Sequence, residues 1–317
     1  MGVGRISTSF LLNQGINNLN ANSSLLSKLQ EKLSTNKNIN RPSDDPLGFS
    51  RLLSVTDALN YDKRYADNIT QANSELNTTD SSLTSVTDII ARAKELAVQG
   101  ANVSTNQQGR NAIALEIDQL INQAVQVANT KVGDKFIFAG FNNGSAPFAR
   151  AVDDVTYTGS ANVAGSFERQ IEISDGVAQT INVNGDAVFG HVAVTFAGDP
   201  PTFAAGSTGL LKTLVNLKLN LQAGNLPEIR LRLDDLDTDL TNVDAQKASV
   251  GSIQNRLDLA QNRLDQRKNT FTKEYSSIQD LDLPKTISDL NFQQNVYQSS
   301  LQVLSRVIQP SLLSFLN

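Results

Sequence analysis

From Ile229 onward an apolar residue falls on every seventh position, with Leu236, Val243, Val250, Leu257, Leu264, Phe271 and Ile278 following in turn. A sevenfold apolar repeat puts these side chains on one stripe of an α-helix. At 1.5 Å per residue the stripe needs a helix roughly 75 Å long. A compact globule of 317 residues is only roughly 50 Å across. The spacing therefore predicts an elongated antiparallel helical rod, since so long an apolar stripe needs a partner helix. The companion positions Lys247, Gln254, Gln261 and Lys268 are polar, so that face is either solvated or reserved for a neighbouring molecule.

Similar spacing marks the front of the chain. Leu12, Leu19, Leu26 and Leu33 recur at sevens with Ile16 beside them, while the companions Ser23 and Gln30 are polar. One apolar residue per heptad among Asn and Ser buries too little to fold alone, so this segment is expected to order only against partners. Arg41-Pro42-Ser43-Asp44-Asp45-Pro46 breaks the pattern. Each Pro biases its predecessor away from helix, and the paired Asp residues are read as caps of a helix starting near Pro46 rather than as a cation site. That helix carries Leu52, Leu59 and Ala66, then Ile69, Leu76, Leu83, Ile90 and Ala97, to a left-handed cap at Gly100. Ile113, Ile117, Leu120, Ala124 and Val127 follow as an antiparallel return helix.

After Lys135 to Gly140 the periodicity shortens. Val155 to Tyr157, Ile171 with Ile173, Ile181 with Val183, and Val192 to Phe196 read as strands, with Ser174-Asp175-Gly176 and Asn184-Gly185 as hairpin turns. Gly140 to Gly144 lacks the ending of a phosphate loop and reads as a turn. Helix resumes near Leu210. After Leu283-Pro284 a last stripe runs through Ile287, Leu290, Tyr297, Leu301, Leu304 and Ile308, interrupted at Gln294 and Pro310, before Leu312, Leu313 and Leu316. The expected fold is mainly α with a small β insertion. The expected divisions are an N-terminal assembly arm at 1–45, helical rod at 46–139, a β-rich outer domain at 140–208, returning rod at 209–281 and a C-terminal assembly arm at 282–317. The heptads flanking the insertion place both arms side by side. Leu12, Leu19, Leu26 and Leu33 with Ile287, Leu290, Leu301, Leu304, Ile308, Leu312, Leu313 and Leu316 form the expected assembly interface.

Composition removes most chemistry. With no Cys and one His, the chain has no thiol nucleophile, no disulfide framework and no paired-His metal site. His191 precedes Val192-Ala193-Val194-Thr195, not an HExxH helix, and is read as a surface or turn residue. No catalytic residue, metal or cofactor is expected. The net charge of −5 argues against nucleic acid as a partner. No apolar run reaches the roughly 18 residues of a membrane span, and the first ten residues lack the apolar region of a cleaved secretory signal.

The flanking motifs resemble the bacterial flagellin superfamily, and within it the hook-filament junction branch. They are Arg5-Ile6-Ser7-Thr8-Ser9, Lys32 through Arg41-Pro42-Ser43-Asp44-Asp45-Pro46-Leu47-Gly48, Ala93 to Asn102, Asp282-Leu283-Pro284 to Leu290, and Tyr297 to Leu313. The Arg-Pro-Ser-Asp-Asp-Pro form and the Pro310 ending are closer to the junction branch than to filament flagellin, whereas Gly2-Val3-Gly4 departs from the family's usual start. The resemblance implies a non-enzymatic structural adaptor, exported through the flagellar type III channel and folded into the flagellum. It implies four partners: hook-associated protein 1, flagellin, further copies in a ring, and an export chaperone on the C-terminal helix. Arg92 and Glu95 match a flagellin stretch read by an innate immune receptor. Alternatives are a filament flagellin, or an adhesin that uses the β insertion on the same frame.

Overall fold

The computed structural model describes residues 8–151, 154–159, 168–191, 194–195, 202–203 and 209–313. Ile308, Leu312 and Leu313 are described as backbone only, and Leu316 lies outside the described residues, as do parts of Val192 to Phe196. The chain is mainly helical. In order come α1 (Thr8–Thr35), α2 (Pro46–Gly100), α3 (Gln107–Ala128), β1 (Lys131–Val132), β2 (Lys135–Phe136), β3 (Phe148–Ala151) and β4 (Asp154–Tyr157). They are followed by β5 (Gln170–Ser174), β6 (Val177–Thr180), α4 (Gly185–Phe189), β7 (Val194–Thr195), β8 (Thr202–Phe203), α5 (Gly209–Ala223), α6 (Leu226–Gln279) and α7 (Leu283–Leu313). Two compact units result, residues 63–265 and residues 1–62 with 266–317.

The 63–265 unit holds the large core. Ile229, Leu236, Val243, Val250 and Leu257 are fully buried, as are Ile69, Leu76, Leu83 and Ile90 of α2. Burying each such side chain is worth about 1.5–3 kcal/mol, so the two sevenfold tracks are the main reason this part folds. Lys94 pairs with Asp237, Lys247 Nζ donates to Thr84 Oγ1 at 3.1 Å, and Gln254 Nε2 donates to Asn77 Oδ1 at 2.9 Å. Residue numbers rise along α2 as they fall along α6, so the helices run antiparallel. Lys247 and Gln254 are therefore ties to α2, which the sequence reading of a free or partner-facing surface missed. Gln261 donates to Asp265 on its own helix, and Lys268 is exposed.

The return helix α3 starts at Asn106, whose side chain accepts from Gly109 N at 2.8 Å, and lies along α5. Gly100 has no positive φ and remains inside α2, so it is not the expected left-handed cap. It is needed for another reason: an added Cβ would collide with the Leu221 side chain.

Among the described residues the strands form four antiparallel two-stranded pairs rather than one sheet. Pairing begins at Lys131, before the expected boundary at 140. The Asp175-Gly176 turn joins β5 to β6, with Gly176 at φ +65°. Asn184-Gly185 is not a hairpin turn: the Asn184 side chain accepts from Asp186 N at 3.0 Å and caps α4. Ile181 and Val183 are buried but lie outside any strand. The same alternation that suggested a strand serves here to bury a connecting segment. Phe189 of α4 sits edge-on to Phe138 and Phe148, at ring centroid distances of 5.0 and 5.5 Å. Gly185 admits this packing, because a Cβ there would lie 2.5 Å from Phe138 O.

A charged tie holds β3 to the helices. Asp118 of α3 receives Lys218 Nζ of α5 at 2.9 Å, while Arg150 of β3 pairs with its carboxylate and donates to its backbone oxygen at 3.0 Å. Burial pushes the Asp118 carboxyl up, but the Lys218 and Arg150 hydrogen bonds outweigh it and hold the pKa below the ordinary value.

Candidate assembly interface

The 1–62 with 266–317 unit carries both arms. α1 ends in a left-handed residue, Asn36 at φ +54°, and Lys37 N donates back to Lys32 O at 3.2 Å. The segment that follows is stitched to the end of α6. Asn38 N donates to Gln279 O at 2.7 Å, and Gln279 Nε2 donates to Ile39 O at 3.0 Å. The two aspartates of the Arg41 to Pro46 motif divide the work. Asp45 caps α2 by accepting from Gly48 N at 2.9 Å. Asp44 closes the preceding turn, accepting from Arg41 N at 3.0 Å and Asn40 N at 3.2 Å, and the Arg41 hydrogen bond lowers its pKa. The sequence reading made both of them caps. α7 starts with Asp282 accepting from Lys285 N at 3.1 Å, and Pro284 falls in the first turn, where its missing N–H costs nothing.

The paired arms α1 and α7 meet along two sevenfold tracks from each helix. On α1, Leu12, Leu19, Leu26 and Leu33 are half-buried, and their companions against α7 are Gly15, Asn22 and Leu29 rather than Ser23 and Gln30. Ile16 is exposed. On α7 one track is Leu290, Tyr297 and Leu304, and the other is Thr286, Gln293 and Ser300. Gly15 receives the Leu304 side chain so closely that an added Cβ would lie 3.0 Å from Leu304 Cδ2. Gln293, only 6% exposed, donates from Nε2 to Asn22 Oδ1 at 3.1 Å, and Asn22 Nδ2 donates to Ser300 Oγ at 3.3 Å.

Two residues of the expected assembly interface, Ile287 and Leu301, stand outside the α1/α7 seam and are exposed. The stripe was drawn through apolar residues only, whereas the true contact line passes through Thr286, Gln293 and Ser300. Counting sevens from Gly15 and Thr286 would have found these polar positions. Helix α7 also continues past Pro310 to Leu313, so that proline does not end the arm. Beyond the seam, Phe10 and Ile16 of α1 and Phe292, Leu301 and Val303 of α7 are exposed, Phe292 by 68%. Gly15, Asn18, Phe292, Val296, Val303 and Leu304 line a shallow apolar groove along the pair.

Within the same unit, Asp62 of α2 occupies the sevenfold track Val55, Asp62, Ile69, and is 3% exposed. Arg267 lies 3.1 Å from its Oδ1, outside hydrogen-bond direction, so neither carboxylate oxygen accepts a hydrogen bond. Burial raises the Asp62 pKa against the opposing charge of Arg267.

Elsewhere, His191 Nδ1 lies 2.8 Å from Asp186 Oδ1 at a half-exposed position. Among the described residues no three His, Asp or Glu side chains stand together to hold a metal ion, and no helix is long and apolar enough to cross a membrane. Arg92 is engaged by Glu95 at 2.8 Å and Glu116 at 2.5 Å on an exposed face.

A pair of terminal helices in one unit and a long helical core in the other are features that known families share. The pattern of the bacterial flagellin N-terminal helical region matches residues 6–143, and that of the bacterial flagellin C-terminal helical region matches residues 233–316. The chain belongs to the flagellin superfamily. Flagellar hook-associated protein 3 of Escherichia coli is 27% identical over 93% of this chain and 94% of its own length. The flagellar filament 30.7 kDa core protein of Treponema maltophilum is 27% identical over 87% of this chain and 86% of its own length. The solved flagellar junction protein FlgL of Legionella pneumophila shares the fold, with a TM-score of 0.52 and 15% identity, covering 74% of this chain and 100% of its own. These flagellin-type relatives are structural components of the bacterial flagellum.

Proposed function

We propose that the chain is a non-enzymatic adaptor subunit that joins the hook end of the flagellum to the filament, its arms folding as it assembles. The α1/α7 pair carries this reading. Its inner seam carries the polar Asn22, Thr286, Gln293 and Ser300, and its outer face exposes Ile287, Phe292, Leu301 and Val303. Side chains of this kind gain their burial only when neighbours supply the other wall. The twelve-residue assembly interface expected from the sequence is kept in revised form: the four α1 leucines, Leu290 and Leu304 serve the seam, while Ile287 and Leu301 face neighbouring copies. The partners in this reading are hook-associated protein 1, flagellin, further copies in a ring and an export chaperone on α7. The place is the hook-filament junction, reached through the flagellar export channel.

A filament subunit is the second reading, favoured by the filament core protein, which has the same 27% identity as the junction relative over a somewhat shorter stretch. Adding the purified chain to isolated hooks separates the two under the electron microscope. A short collar onto which flagellin then extends is the expected result. Long filaments of this chain alone would assign it to the filament, and no addition at all would overturn both readings.

A further inference from the structure

We infer that the polar layer of Asn22, Gln293 and Ser300 keeps the two arms from closing firmly on each other before assembly, while fixing the one register in which they close. This rests on the reading of α1 and α7 as assembly arms. The layer is hydrogen-bonded across the pair when closed: Gln293 Nε2 donates to Asn22 Oδ1, Asn22 Nδ2 to Ser300 Oγ, and Ser300 Oγ to Val296 O at 2.8 Å. Such bonds replace bonds to water in the open arms, so they add little net stability.

Its position matters as much as its chemistry. Asn22 stands at the middle of α1, Thr8–Thr35, and divides Leu12 and Leu19 from Leu26, Leu29 and Leu33. Each apolar block is then too short to hold a helix pair alone. Gly15 leaves one block without a side chain of its own at the seam. On α7 the whole facing track is polar, and the Thr286 hydroxyl is already committed to Asp282 O at 2.8 Å. A slip of one heptad would still set the α1 leucines against the track of Leu290, Tyr297 and Leu304, so the apolar contacts alone leave the register open. The Asn22 amide cannot make the same slip without leaving Ser300 or Gln293, according to its direction. A buried amide in a helical seam characteristically gives up stability for a defined register.

Amide hydrogen exchange on the full-length monomer tests this, with the natural chain compared with N22L/Q293L. In the natural chain, the amides of 12–33 and 286–304 should exchange fast relative to the 63–265 core. In the leucine pair they should slow by roughly tenfold or more. The swap N22Q/Q293N keeps an amide on each helix and should exchange like the natural chain. Fast natural arms with unchanged leucine-pair arms would overturn the role of the layer and leave the assembly reading standing. Natural arms as protected as the core would overturn both. A protected swap variant would also overturn the inference, because polarity would then not be the cause. If the leucine pair associates, N22A/Q293M gives the second measurement: it removes both amides together and leaves none unpaired, with slower arm exchange expected and unchanged exchange counting against the layer.

Discussion

Asp118 and Asp62 show how the same side chain stabilises at one position and costs stability at another. Asp118 is held below the ordinary carboxylate value of 3.8 by Lys218 and Arg150, in spite of burial. A lowered folded pKa means that its contribution is complete above the unfolded value and is lost as pH falls through the folded one. Asp118→Asn should therefore cost about 2 kcal/mol at neutral pH. In urea unfolding, the gap to the natural chain should close as the pH drops below 3.8. Asp62 has the opposite sign. Its raised pKa gives a contribution that is present below 3.8 and lost as pH rises through the folded value, so its charge is a burden at neutral pH. Asp62→Leu should raise stability by about 1–2 kcal/mol at pH 7, with a smaller gain in acid, read from the same titrations. Neither partner set was visible in the sequence, because Asp118, Arg150 and Lys218 meet only through the packing of α3, β3 and α5.

At the scale of elements, the long helices were legible and their neighbours were not. The repeat from Ile229 specifies α6, and Pro46 with its preceding Asp45 specifies where α2 begins, because both signals are local. The arm seam was half legible. The leucines at 12, 19, 26 and 33 lie on it, but the polar track at 286, 293 and 300 was invisible to a rule that follows apolar residues. Asn184-Gly185 failed differently: the same pair serves a hairpin turn or a helix cap, and only the approach of Phe138 and Phe148 selects the cap. The exchange comparison of N22L/Q293L belongs to this scale, since it asks whether one layer governs two whole helices.

For the whole molecule, the division into two units gives a separate expectation. The core from Tyr65 to Leu264 lies within residues 63–265. A fragment of those residues should keep a cooperative thermal transition in calorimetry, whereas a broad, heatless transition would show that this core depends on the arms. The hook-addition experiment tests the other unit, whose exposed apolar faces are the ones proposed to meet neighbouring subunits.

The sequence by itself determined the mainly helical class, the long paired heptads, the lack of thiol chemistry and the family, because periodicity, composition and short capping motifs are properties of neighbouring residues. Only the tertiary structure decided which residues face each other: Lys247 and Gln254 against α2, Gly100 against Leu221, and Asn22 against Gln293 and Ser300. A heptad pattern repeats itself every seven residues and so leaves rotation and register open. The choice among them is made by burial and hydrogen bonding between residues up to 278 positions apart.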